Sequence, residues 1–227
     1  MNNFDNEKLN RIRHTMAHVL AYAVKQIFDD VKFGIGPVIE DGFYYDFDLP
    51  RSLVPEDLNL VEEKMKDIIK KGYQVQHETV SFDEARRIFS NQPYKLELID
   101  ELEQNEENTT VSIYKIGDFV DLCKGLHVSS LDELNPKAFK LMNISGAYWK
   151  GDAENPMLQR IYGTAWESVD ELKAYILKIE EASKRDHRTI GAKLDLFSSS
   201  PKIGQGLILW HPKGAMVRFL LERFSQT

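Results

Sequence analysis

The chain holds a single cysteine, Cys123, among 227 residues. An intrachain disulfide is therefore excluded, a reducing compartment fits, and the thiol is either a small buried hydrophobe or a functional group. Long apolar runs are missing as well. None reaches the ~20 residues that a membrane-spanning helix needs, and the polar start MNNFDNEKLN has no secretory pattern, so no membrane partner and a cytoplasmic location are expected. Positive charge is in deficit. The net charge of −7 argues against a nucleic-acid binder that relies on a general basic surface, and leaves a local one open. Phosphate-cradling glycines are absent too, because Gly34, Gly36 and Pro37 in FGIGP lack a GxGxxG or GKT context and read as a turn. The length suffices for one large or two small domains with real cores.

Against these absences stand two spaced pairs of nitrogen and sulfur side chains, His14 and His18 in HTMAH, and Cys123 and His127 in CKGLH. Together they suggest one converged polar site, able to hold a metal or a reactive water. Leu9, Ile12, Met16, Leu20, Ala23 and Ile27 recur at helical spacing, which predicts a helix over residues 5 to 29 with that stripe in the core. His14 and His18 fall one turn apart on a face roughly opposite, near Arg11, Tyr22 and Lys25. No Asp or Glu lies between Lys8 and Phe28, as on a surface prepared for an anion, although chance composition gives the same pattern. A single i,i+4 histidine pair is common in helices and alone reads as surface. The second pair, with Asp121 adjacent and Gly125 letting the backbone turn, moves the reading towards function. His77, His187 and His211 read as structural.

The remaining pattern is mixed. GIGPVIEDGFYYDFD reads as a hairpin turning at Asp41-Gly42. Pro55 opens and Gly72 closes a helix with Leu58, Val61, Met65 and Ile68 on one face. Residues 73 to 80 alternate as a strand, and Ser81 with Glu84 caps the next helix. Val111 to Ile116 reads as a strand followed by a second short one. Two further strands are predicted near 138 to 149 and 158 to 166. Ser168 with Glu171 caps a helix carrying Leu172, Ile176 and Ile179, which runs out through Lys184, Arg185, Arg188 and Lys193. That basic run is either a helix end or an RNA contact. Six carboxylates and no cation in residues 97 to 107 read as a solvated, mobile edge. The non-alternating order argues an α+β fold, a mixed or antiparallel sheet with packed helices.

RHTMAHVLAYAV, GIGPVIEDGFYYDFD, DLCKGLHV, GAYWKGD, MLQRIYGTAW and RDHRTIGAKLDLF resemble the N-terminal half of bacterial-type threonyl-tRNA synthetases. Residues 1–167 resemble the editing domain, shared in outline with alanyl-tRNA synthetases and alanyl editing proteins. Residues 168–190 resemble the linker helix, and 191–227 the start of the class II catalytic domain. The resemblance implies hydrolysis of the aminoacyl ester of seryl-tRNA for threonine, and no aminoacylation by these residues. A non-catalytic module seating the tRNA acceptor end, or an alanyl-tRNA editor, are the alternatives. ATP and a zinc ion belong to catalytic-domain motifs that the sequence does not contain, and a homodimer is implied for the complete enzyme. A hydrolytic second site is needed because serine differs from threonine by one methyl, worth only ~1–3 kcal/mol.

The resemblance places His14, His18, Cys123, His127, Lys95 and Asp121 in the catalytic pocket, with Tyr44 and Tyr45 binding substrate. His14, with His18 or His127, would hold the water or its proton path. Lys95 would meet the oxyanion or ribose, and Asp121 the substrate ammonium or an imidazole. Local sequence alone reads Lys95 as a surface cation. No cofactor is implied for editing, while zinc through His14, His18, Cys123 and His127 is the alternative that the alanyl relatives suggest. Lys124 and Leu126 stand where the family's turn often has Arg and Pro, which frees the backbone before His127 and removes a bidentate phosphate fork.

Overall fold

In the computed structural model, residues 3–104, 109–202 and 204–225 are described. Helix α1 (Asn3–Ile27) is enclosed on nearly all sides rather than along one stripe, since every residue from Val19 to Val24 is at most 2% exposed. The sequence reading of a polar face opposite the core is thus corrected. Small side chains such as Ala17, Ala21 and Ala23 let neighbours approach, and His18, Arg13 and Thr15 are buried with them. Arg13 is admitted because its guanidinium donates to the carbonyls of Ala165 and Glu40.

Strands β1 (Lys32–Phe33) and β2 (Val38–Ile39) both pair with β3 (Gly42–Asp48). Ile39 lies opposite Gly42, so the hairpin turns at Glu40-Asp41, one residue earlier than its Asp-Gly signal suggested. Gly42 is needed inside the strand because a Cβ there would lie 2.1 Å from the Gly163 carbonyl oxygen. Helix α2 (Pro55–Lys70) opens on Pro55, with the Asp57 carboxylate accepting from the Val54 amide, and ends before Gly72 at φ +61°.

Next come β4 (Val75–Val80), α3 (Phe82–Ile88, capped by Ser81), α4 (Pro93–Glu103), β5 (Val111–Ile116) and β6 (Phe119–Leu122). The long hairpin β7 (Phe139–Tyr148) and β8 (Met157–Ala165) follows. One antiparallel sheet runs β1-β3-β8-β7, with β2 also on β3, and a second runs β4-β5-β6. The fold is α+β with antiparallel sheets. Its main core joins α1, α2 and the inward residues of β3, β7 and β8 to Ile116 and Phe119 of the second sheet.

The acidic stretch after Glu97 is a helix rather than a mobile edge. Asp100 and Glu103 hold Arg86 of α3, and Glu97 and Glu101 hold Lys150. Glu106 and Glu107 lie outside the described residues.

The chain forms two compact units, one up to Leu172 and one from Lys173, dividing inside α5 (Val169–Lys184). Ser168 and Glu171 cap that helix as expected. It does not run through the basic segment, however, because Asp186 accepts from the Arg188 amide and caps a separate α6 (His187–Lys193). The second unit adds β9 (Phe197–Ser200), paired antiparallel with β10 (Gly204–Trp210), and α7 (Pro212–Ser225). His211 bridges Ser198 and Asp195 there and pins this hairpin. No described helix is long and apolar enough to cross a membrane.

Candidate functional site

Three segments bring the two sequence pairs together. The i,i+4 spacing of α1 presents His14 and His18 on one side, β6 ends just before Cys123, and the turn after it returns His127. One ligand atom from each of the four lies within 4.8 Å of the others. Cys123 Sγ is 3.2 Å from His14 Nε2 and 3.3 Å from His127 Nε2, and also accepts from the Gly125 amide. The need for Gly125 is space rather than a turn. A Cβ there would stand 1.9 Å from His14 Cε1, so the ring lies where any other residue would put its side chain.

Beneath this cluster Asp121, Lys95, Tyr45 and His18 form a closed network. Asp121 Oδ1 meets Lys95 Nζ at 2.5 Å and accepts from the Leu122 amide at 2.8 Å. Its Oδ2 accepts from the Tyr45 hydroxyl at 2.6 Å and meets His18 Nδ1 at 3.0 Å. Four donors saturate the carboxylate. Of the two roles expected for Asp121, fixing an imidazole matches this geometry, whereas taking the substrate ammonium requires one partner to leave. Lys95 is 2% exposed, which overturns its reading as a surface cation, and a second of its donors is spent on the Tyr45 hydroxyl at 3.0 Å.

Period-two alternation separates the two tyrosines of FYYD. Tyr45 packs fully buried against Phe33 and Phe47 with its hydroxyl in the network. Tyr44 points the other way, beside Tyr162 and under the Arg160 guanidinium 3.7 Å from its ring centre, and is not brought to the site. Asp46 in turn holds Arg160 through both carboxylate oxygens.

The charges follow from these contacts. Burial disfavours a charged His18, but the Asp121 charge and hydrogen bond, with Cys123, outweigh it and raise the imidazole to about 9. Burial likewise works against a Cys123 thiolate, yet the hydrogen bonds from His127, His14 and His18 bring it down to about 3. His127 falls to about 4 through burial and the neighbouring imidazoles, against the pull of Cys123. Asp121 is held well below the usual carboxylate range: burial opposes its charge, and Lys95 and His18 more than offset this. At neutral pH the centre therefore pairs thiolate with imidazolium and carboxylate with ammonium, beside a neutral His127. A thiolate accepts, so the facing His14 nitrogen, Nε2, carries the hydrogen. Among the described residues no hydrogen bond to its Nδ1 is found.

The group opens into a cavity of about 230 Å³ lined also by Ile35, Gly36, Pro37, Leu122 and Lys124. His14 is shared with a larger groove of about 610 Å³ lined by Asn10, Arg11, Val38, Ile39, Glu40 and Leu126. Sequence reasoning missed Thr15. Its hydroxyl donates to the Arg11 carbonyl, accepts from the Val128 amide and touches His127 Nδ1 at 3.3 Å. A threonine between two histidines in a helix was the available signal. Gly36, missed as well, lies where a Cβ would be 2.2 Å from the Tyr45 ring.

The donor set fits zinc in kind, one thiolate and three imidazoles, with sulfur-to-nitrogen separations near the ~3.5 Å edge of a tetrahedral site. Asp121 would then brace His18 as a supporting carboxylate. An imidazolium, however, offers no lone pair, so metal binding would first have to remove the His18 proton.

Residues 111–162, which carry Cys123, Asp121 and His127, match the family described as the threonyl and alanyl tRNA synthetase second additional domain. Threonine–tRNA ligase of Dehalococcoides mccartyi is 51% identical over 95% of this chain and 36% of its own length. Those of Nitrosococcus oceani and Bacillus velezensis are 51% and 50% identical, over 98% and 96% of the chain and 34% and 33% of their own lengths. The chain spans about a third of the curated relatives it matches. By these matches it carries the second additional domain of threonyl and alanyl tRNA synthetases, within a stretch that is about half identical to bacterial threonine–tRNA ligases.

Proposed function

We propose that this chain is an editing deacylase, which hydrolyses the ester joining serine to the tRNA for threonine. The observation that carries the reading is the convergence of His14, Cys123 and His127 on the buried Lys95–Asp121–His18 network, at the floor of a small cavity. The reaction needs an oriented water, a base for its proton and donors for the tetrahedral oxyanion. His14 Nδ1 is the base, its tautomer set by the Cys123 thiolate. Lys95 has a third N–H to give to the oxyanion or ribose, in surroundings where a charge is weakly screened. His18 stays an imidazolium and raises the local positive potential. Ile35, Pro37 and Leu122 wall the cavity that receives the amino acid. A serine side chain fits where a further methyl crowds the wall, and the larger groove beyond His14 leaves room for the terminal nucleotide. The protein acts in the cytoplasm on tRNA.

Hydrolysis proceeds without a metal in this reading, with His18 Nδ1 committed to the buried Asp121 carboxylate at 3.0 Å. A second reading has an observation of its own, the four donors within 4.8 Å of one another. In it, His14, His18, Cys123 and His127 hold zinc, which would brace the pocket or polarise a water. The test measures serine release from seryl-tRNA for threonine, with threonyl-tRNA as counter-substrate, before and after chelation. Serine release that spares threonine, survives chelation and drops ~10²–10⁴-fold in His14→Ala is expected. Loss on chelation, with stoichiometric zinc in the untreated protein, selects the second reading. Binding of both tRNAs without hydrolysis refutes deacylation and leaves a module that seats the acceptor end.

A further inference from the structure

The tip of the β7–β8 hairpin contributes nothing to the cluster around Cys123, yet it is bound to the reverse side of the helix that carries Lys95. Trp149 is 3% exposed, its ring 4.9 Å from that of Tyr94, and its indole N–H donates to Glu97 at 2.9 Å. Lys150 is left-handed at φ 54°, ψ 17°, a conformation a side chain bearing a Cβ rarely adopts, and its ammonium reaches Glu97 and Glu101. The tip is closed by the Trp149 amide on the Pro156 carbonyl and by Asn155 on the Trp149 carbonyl. Tyr94, Glu97, Leu98 and Glu101 lie at i, i+3, i+4 and i+7, one stripe of α4 facing the tip, with Leu98 packed on Trp149, Tyr94 and Leu158. Lys95 is on another side of the same first turn, projecting to Asp121 and Tyr45.

We infer that Trp149 and Lys150 are positioning residues, which hold α4 at the rotation and depth that place the Lys95 ammonium beside the reacting ester. This rests on the deacylase reading and on Lys95 acting in it. Helix α4 starts with weak local anchoring: Gln92 makes no side-chain cap on it and instead bonds the Phe33 amide and the Val31 carbonyl. Its exposed face is tied by Arg86. Ile99 anchors its inner face in the core and the Tyr94 hydroxyl donates to Asp48, and the hairpin tip adds support on the stripe adjoining Lys95. Lys95 must reach Asp121 Oδ1 at 2.5 Å with a third donor still facing the cavity, so a small rotation of α4 spoils that placement.

The test compares Trp149→Phe, which keeps the ring and removes the N–H, Lys150→Met, Lys150→Arg and Lys95→Met in the full chain. The two clamp variants are expected to lower kcat for serine release by about tenfold or more, with KM little changed, and Lys150→Arg to restore it. In a Lys95→Met background the same substitutions are expected to leave kcat where Lys95→Met alone puts it, while still lowering Tm. Equal kcat losses with and without Lys95 would mean a merely structural tip and overturn the inference. So would unchanged kcat in the clamp variants of an active protein.

A second readout does not need activity. Acetylation of Lys95 by an amine-reactive ester, followed by mass spectrometry, is expected to be slow in the parent and at least several-fold faster in the clamp variants. If the parent fails to release serine, the deacylase reading fails, and the labelling alone decides whether the tip positions Lys95; equal labelling rates overturn that too.

Discussion

At the scale of single residues, Asp121 is the least replaceable group. Asn in its place leaves Lys95 buried without a charge partner, and losing one member of such a pair costs ~3–5 kcal/mol. Denaturant unfolding of Asp121→Asn is expected to show that loss, together with loss of activity. Gly125→Ala is expected to do the opposite, leaving Tm near the parent while displacing His14 and lowering hydrolysis by about 10²-fold, as the 1.9 Å approach implies. The pH dependence has a worked sign. His18, raised from 6.5 to about 9, adds stability that is complete below 6.5 and lost as pH rises through about 9. Cys123, lowered from 9.0 to about 3, adds stability that is complete above 9.0 and lost as pH falls towards about 3. Between 6.5 and 9 the His18 and Cys123 slopes oppose and largely offset, and below 6.5 the thiol slope is joined by that of His127, lowered from 6.5 to about 4. Unfolding free energies from pH 4 to 9 are therefore expected to be flat above pH ~6.5 and to fall below it. In Cys123→Ser the acid slope shrinks and a decline at alkaline pH appears.

At the scale of elements, helix α2 offers a local check. Asp57 accepts from the Val54 amide and grips Arg51 through both oxygens, so Asp57→Ala is expected to cost about 1–2 kcal/mol of stability, read from urea unfolding. Such elements were legible because their signals are local. Pro55, Gly72, Ser81 and the Ser168–Glu171 pair act within one turn of chain. What escaped the sequence was non-local. The sides of α1 that carry Arg13, Thr15 and His18 are buried because two sheets and a second helix close over them, and no window of α1 alone records that. Lys95 read as a surface residue because its partner Asp121 lies 26 positions on in sequence, at the end of another strand. The carboxylates of α4 read as a solvated edge because their partners are also non-local, Arg86 14 and 17 positions away and Lys150 53 and 49.

At the scale of the molecule, the residues proposed for hydrolysis all belong to the first unit, with α5 crossing into the second. A chain ended at Lys184, the last residue of α5, is expected to unfold in one transition and to keep at least half the serine-release rate of the full chain, measured side by side. A large loss would mean that the second unit takes part in the chemistry. The four chief site residues were legible in the sequence as two i,i+4 motifs. Lys95, Asp121 and Tyr45 of their common floor were named only by the family resemblance, and the contacts among them were not legible, since the floor is assembled from α1, β3, α4 and β6. That assembly carries a quality-control consequence. Asp121 of β6 is where the other three segments report their arrival, each by one contact to the same carboxylate. A chain with any of them out of register holds an unpaired charge in its interior and has no reason to stay closed, so half-finished molecules lack the assembled site proposed for hydrolysis. Under the proposed function, correct folding and the competence to cleave an ester become one event.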